Sequence, residues 1–99
     1  MARVVWSKES LTYIAQICEY ISRDSQFNAE AFLNRMMDSI EVQLGTFPDN
    51  ANIGRVTPEF SNPLKREIVF EKYRVLYDVK ENGRIAYITQ VQHGSKPIA

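Results

Sequence analysis

The chain has 99 residues, 44 % hydrophobic and 24 % charged, with twelve bases balanced by twelve acids for a formal net charge of zero. That length suits one domain spanning residues 1–99, and the ordinary mix of apolar and charged residues argues against disorder and against a membrane span. Cys18 is the only cysteine, which excludes an internal disulfide and argues against a small secreted scaffold stapled by bridges, so the cytoplasm is the expected location.

The run Arg3-Val4-Val5-Trp6 turns polar at Ser7 too early for a secretion signal or a transmembrane helix and reads as a short strand. Ser7 is placed to cap a helix, with Glu9 near the positive end of its dipole. Leu11, Ile14, Ala15, Cys18 and Ile21 then recur at three- and four-residue steps, a stripe that should face a core, widened by Tyr13, Ile17 and Tyr20. Residues 24–27 break the pattern. Asn28, with Glu30 after it, marks a second helix start, in which Phe32, Met36, Ile40 and Leu44 form one row beside Leu33 and Met37 until Gly45.

Residues 46–63 hold Pro48, Gly54, Pro58 and Pro63 among Asn and Asp, a turn-rich composition predicting a long connection that forms the rim of a binding surface. Phe47, Ile53, Val56 and Phe60 suggest that it packs down. Three strand-like runs follow, LKREIVF from Leu64, YRVLYDV from Tyr73 and RIAYITQVQ from Arg84, separated by Glu71-Lys72 and by Lys80-Glu81-Asn82-Gly83. β-Branched and aromatic residues parted by turn residues predict an antiparallel meander, since Asn-Gly tolerates positive φ. The expected fold class is therefore α+β: an N-terminal strand, a helical hairpin and a three-stranded meander, with both helices on one face of the sheet.

Charge is unevenly divided. Through Leu64 there are five bases against eight acids, whereas from Lys65 onward seven bases face four acids, so the helical half is acidic and the sheet half basic. Clustered positive charge draws an anionic partner, and its alternative is a solvated strand face. No cofactor or metal is expected. Cys18 on a core stripe and His93 near the far end show no ligand spacing, the four glycines are too scattered for a phosphate loop, and no nucleophile motif is visible.

The candidate partner-binding residues are Lys65, Arg66, Arg74, His93 and Lys96. Alternation puts Tyr73, Val75, Tyr77 and Val79 on one strand face, toward the helices, and Arg74, Leu76 and Asp78 on the other. Arg74 then projects from the open face, where Lys65 or Arg66 joins it to hold an anion; the competing reading pairs Arg74 across strands with a carboxylate such as Glu67. His93, after the last strand, is either an acid or base working near neutral pH or a plain surface residue.

Val4-Val5-Trp6-Ser7 leading into the first helix, Tyr20-Ile21, Phe47-Pro48, Tyr73-Arg74-Val75-Leu76-Tyr77 and Val91-Gln92-His93-Gly94 occur in an order and spacing that resemble the ParE branch of the RelE/ParE superfamily of toxins, also called plasmid-stabilisation proteins. The resemblance covers nearly the whole chain. It implies a small cytoplasmic toxin neutralised by a cognate antitoxin, as a homodimer or within a toxin–antitoxin hetero-oligomer. It also implies one of two activities, which the fold cannot choose between. Members resembling ParE inhibit DNA gyrase and trap it on broken DNA; members resembling RelE are ribosome-dependent messenger-RNA endoribonucleases.

After His93 this chain has no tyrosine or arginine, and its neutral charge suits poorly a nuclease that grips RNA phosphates. Gyrase inhibition is the leading expectation, with no chemistry of its own. Messenger-RNA cleavage, with Arg74, His93 and Lys65 as its catalytic set, is the alternative, and an adaptor domain without toxicity is a third. An acidic antitoxin tail is expected to cross the basic sheet near Arg74.

Overall fold

The computed structural model describes residues 2–45, 50–96 and 98. In chain order these form strand β1 (Arg3–Trp6), helix α1 (Lys8–Ser22), helix α2 (Gln26–Gly45), a short 3-10 helix (Asn50–Ile53) and strands β2 (Arg55–Val56), β3 (Lys65–Phe70), β4 (Tyr73–Lys80) and β5 (Ile85–His93). The expected α+β plan holds. The sheet order is β1-β5-β4-β3-β2, with β1 parallel to β5 and all other pairs antiparallel. The meander thus has four strands rather than three, because Arg55 and Val56 pair with Glu67 and Arg66; two residues carry too little periodicity to be read as a strand. Phe47 and Pro48 lie outside the described residues.

Helix α1 starts where its cap allows. The Ser7 hydroxyl accepts the Ser10 amide at 3.0 Å, and the Ser10 hydroxyl donates back to the Ser7 carbonyl at 2.7 Å. Ile14 is buried, and Tyr13, Ile17, Cys18 and Ile21 pack beside it against the core. Leu11 and Ala15, expected on the same stripe, are exposed instead, as is Tyr20 at 69 %. The contacting arc is centred on positions 10, 14, 17 and 21, and apolar character alone did not locate its edge. Helix α2 begins earlier than Asn28: the Ser25 hydroxyl accepts the Asn28 amide at 3.1 Å, which makes Ser25 the cap. Its row of Phe32, Met36, Ile40 and Leu44 is buried as expected, each side chain worth about 1.5–3 kcal/mol of burial.

The core lies between the two helices and one face of the sheet, where Val75, Tyr77 and Val79 of β4 meet Ala86, Ile88 and Val91 of β5. Tight turns join the strands, with Glu71, Glu81, Asn82 and Gly83 all at positive φ. Strand β5 carries a bulge. Ile88 pairs with Tyr77 and Gln90 with Leu76, so Thr89 is the extra residue. Before the bulge Ala86 and Ile88 face the core; after it Val91 does, and the parity of the strand has flipped.

The segment after α2 is anchored differently from expectation. Ile53 is exposed, and Val56 and Phe60 are only marginally covered, while Ala51, Gly54 and Thr57 are buried. Thr57 donates its amide to the Lys65 carbonyl at 2.9 Å, and the turn at residues 58–62 folds back along the sheet face opposite the helices.

Candidate functional site

The predicted site residues divide between the two faces of the sheet. On the face away from the helices, Arg74 pairs with Gln92 of β5 on one side and with Val69 of β3 on the other. Its guanidinium donates to both oxygens of Glu59, Nη1 to Oε2 at 2.8 Å and Nη2 to Oε1 at 2.7 Å, and also to Glu67, from Nε at 3.2 Å and from Nη2. The Glu67 side chain is fully buried and accepts in addition from Arg55 Nε at 2.8 Å. Two arginines and two carboxylates therefore form one neutral cluster. The cross-strand reading of Arg74 with Glu67 is what the geometry has, and only 11 % of the Arg74 side chain meets solvent.

The electrostatics follow from these contacts. Hydrogen bonds from Arg74 pull the Glu59 carboxyl down to about 2. Burial pushes Glu67 up, but the hydrogen bonds of Arg74 and Arg55 outweigh it, and its pKa is lowered. Arg74 is raised in turn, chiefly by its bonds to Glu59 and Glu67.

Lys65 shares this face but is engaged with Asp78 at 3.2 Å and lies over the Phe60 ring at 5.5 Å from its centroid. Arg66 does not join Arg74. It pairs with Tyr77, which faces the core, and its guanidinium donates to the carbonyls of Pro63, Asn52 and Gly54 at 2.8, 3.0 and 2.8 Å. Alternation sends Lys65 and Arg66 to opposite faces, so only one of them can stand beside Arg74. Arg66 fastens the segment after α2 rather than lining an open anion site.

His93 is on the helix face. It pairs with Tyr73, and the two rings meet edge to face at 5.5 Å between centroids. Its Nδ1 accepts the Ser95 amide at 3.2 Å and lies 2.7 Å from the Ser95 hydroxyl, which leaves the proton of the neutral ring on Nε2. Together with Tyr13, Tyr20, Lys72 and Lys96 it lines a groove of about 610 Å3 between α1 and the adjoining ends of β4 and β5. Arg74 and His93, neighbours in the expected catalytic set with Lys65, are thus separated by the thickness of the sheet.

Two participants escaped the sequence. Glu59 sits in what reads as a proline-rich loop, and Arg55 on a two-residue strand; the one signal was the period-two spacing of Arg55, Thr57 and Glu59. Tyr20 read as core and instead stands exposed at the mouth of the groove, while Tyr13 packs against the core as expected and also lines the groove. Among the described residues no group of three His, Cys, Asp or Glu side chains is arranged to hold a metal ion, and no helix is long and apolar enough to cross a membrane.

A two-helix layer on one face of a mixed five-stranded sheet, with a parallel strand at one edge, defines a small α+β fold. The family model for the ParE toxin of the type II toxin–antitoxin system parDE matches residues 4–98, and the chain belongs to that family. A chain of the solved structure described as the chromosomal ParDE TA system from P. aeruginosa has the same fold, with a TM-score of 0.70 at 15 % identity, over 94 % of this chain and 96 % of that one. No curated protein matches.

Proposed function

We propose that this chain is the toxin of a type II toxin–antitoxin pair, that it acts by inhibiting DNA gyrase, and that a cognate antitoxin neutralises it in the cytoplasm. Membership of the ParE family supports the toxin reading. The observation that carries the choice of gyrase over messenger RNA is the separation of Arg74 from His93 by the sheet, together with the engagement of Arg74 by Glu59 and Glu67. A general acid or base must reach the same ribose and phosphate as the cation that holds them, within hydrogen-bond distance. Residues on opposite faces of one sheet do not meet that requirement.

The antitoxin is proposed to lay an acidic segment across the sheet face that carries Arg74. Its carboxylates compete there with Glu59, whose side chain is a third exposed and which is the outer of the two acids on Arg74. Removing that competitor by Glu59→Gln tightens the complex.

The test is a gyrase supercoiling assay with purified protein. Inhibition with accumulation of cleaved DNA, and no new messenger cuts on translating ribosomes, is the expected result. Ribosome-dependent messenger cleavage with gyrase unaffected overturns the reading.

A further inference from the structure

We propose that the groove between α1 and the ends of β4 and β5 binds an unpaired stretch of single-stranded DNA. Its mouth and floor are aromatic. Tyr20 is exposed at 69 %, so core packing does not explain its ring, and Tyr73 stands edge-on to His93 behind it. The Arg23 guanidinium lies 6.0 Å from the Tyr20 ring centroid, leaving a cation at the edge of the stacking surface.

Charge sorts the ligand. No acidic side chain lines the groove, whereas Lys72 and Lys96 do, and among the described residues neither makes an ion pair. This is the reverse of the other face, where Arg74, Arg55 and Lys65 are matched by Glu59, Glu67 and Asp78. Lys72 and Lys96 therefore place unmatched positive charge at this groove, in a chain neutral overall. Aromatic rings that accept any base face, beside cations that track a backbone, are how proteins hold single strands without reading sequence.

Shape and polar groups favour nucleic acid over an acidic peptide. The volume of about 610 Å3 admits a base with its sugar and phosphate, and Gln16 on α1 offers an amide donor and acceptor to base edges. His93 adds the Nε2 proton described above. The aromatic and cationic lining grips a strand through its bases and phosphates and needs no ribose 2′-hydroxyl, the group by which RNA is told from DNA. The inference goes beyond gyrase inhibition and stands apart from it, because binding is read on the isolated chain.

The experiment is fluorescence anisotropy of the full chain with a fluorescein-labelled oligothymidylate of about eight nucleotides, an ordinary single-strand site size. Binding is expected, with log K falling against log salt at a slope of about −1.4 to −2, as two or three phosphates require. Tyr20→Ala weakens it about tenfold, and Lys72→Glu weakens it and flattens the slope by about 0.7. Lys80→Ala, at the far end of β4 about 23 Å along the strand, leaves it unchanged. Circular dichroism confirms that each variant is folded; Tyr20 and Lys72 are exposed, so their replacement leaves the core intact.

Absence of binding, or equal binding by Tyr20→Ala, overturns the proposal. So does binding at least tenfold tighter to the matching oligouridylate, or to a polyglutamate peptide, since either assigns the groove to another class of partner.

Discussion

The hydroxyl of Tyr77 and the amide of Gly54 are joined at the centre of the molecule: the phenolic oxygen accepts the Gly54 N–H at 2.9 Å and donates its own proton to the Ala51 carbonyl at 2.7 Å. One side chain of β4 thereby fixes the segment that follows α2. Burial raises the Tyr77 pKa, so the bridging proton stays in place. A Cβ at position 54 would lie 2.3 Å from the Tyr77 oxygen and 2.7 Å from the Glu67 carbonyl. Gly54→Ala is expected to destabilise by about 1–3 kcal/mol through overpacking, and Tyr77→Phe by about 2–4 kcal/mol because two buried polar groups lose their partner. Urea unfolding measures both; a Tyr77→Phe variant as stable as the wild type would show that water replaces the hydroxyl.

Glu67 balances two arginines from a fully buried position. Glu67→Ala is expected to cost about 3 kcal/mol, the low end for breaking a buried pair, because Glu59 still engages Arg74. Arg55, with most of its side chain in solvent, matters less: Arg55→Ala should cost under about 1 kcal/mol. Equal costs for the two would contradict the assignment of Arg74 as the principal partner.

The same cluster sets an acid limit. Glu59 and Glu67 both titrate lower in the folded protein than in the unfolded chain, where Glu lies near 4.5. Their contribution is complete above that value and disappears as pH falls toward about 2, the folded value of Glu59, since only there does the native state take up the protons. Stability should be level from pH 7 to about 5 and then decline. Glu59→Gln should shrink the decline, and an unchanged acid profile in that variant would refute its source.

At the start of α1 the reciprocal bonds of Ser7 and Ser10 are buried. Ser7→Ala removes the cap acceptor and should destabilise by about 1 kcal/mol, while Ser7→Asp should recover most of it. Thermal melts of the two variants distinguish capping from loss of side-chain packing, which aspartate would not restore.

Much of the fold was legible locally. The four-residue row Phe32, Met36, Ile40 and Leu44 marked the buried face of α2, and β4 showed its two faces because its alternation runs unbroken from Tyr73 to Val79. Leu11 and Ala15 misled because an apolar side chain just off the contact arc looks the same in sequence as one on it. The candidate site was less legible. Glu59 reaches Arg74 only because the Thr57–Lys65 hydrogen bond folds its turn over the sheet, a contact with no local signature.

By itself the order of residues determined the strand, the helical hairpin and the antiparallel meander, since capping, periodicity and turn chemistry act over a few neighbouring positions. Tertiary structure decided which charges meet. The bulge at Thr89 turns Val91 and His93 toward the helices, and without that one extra residue the parity of Ala86 and Ile88 would have sent His93 to the face of Arg74. A bulge exists only in the pairing of one strand with another, so the side of the sheet that His93 occupies is a property of the assembled fold.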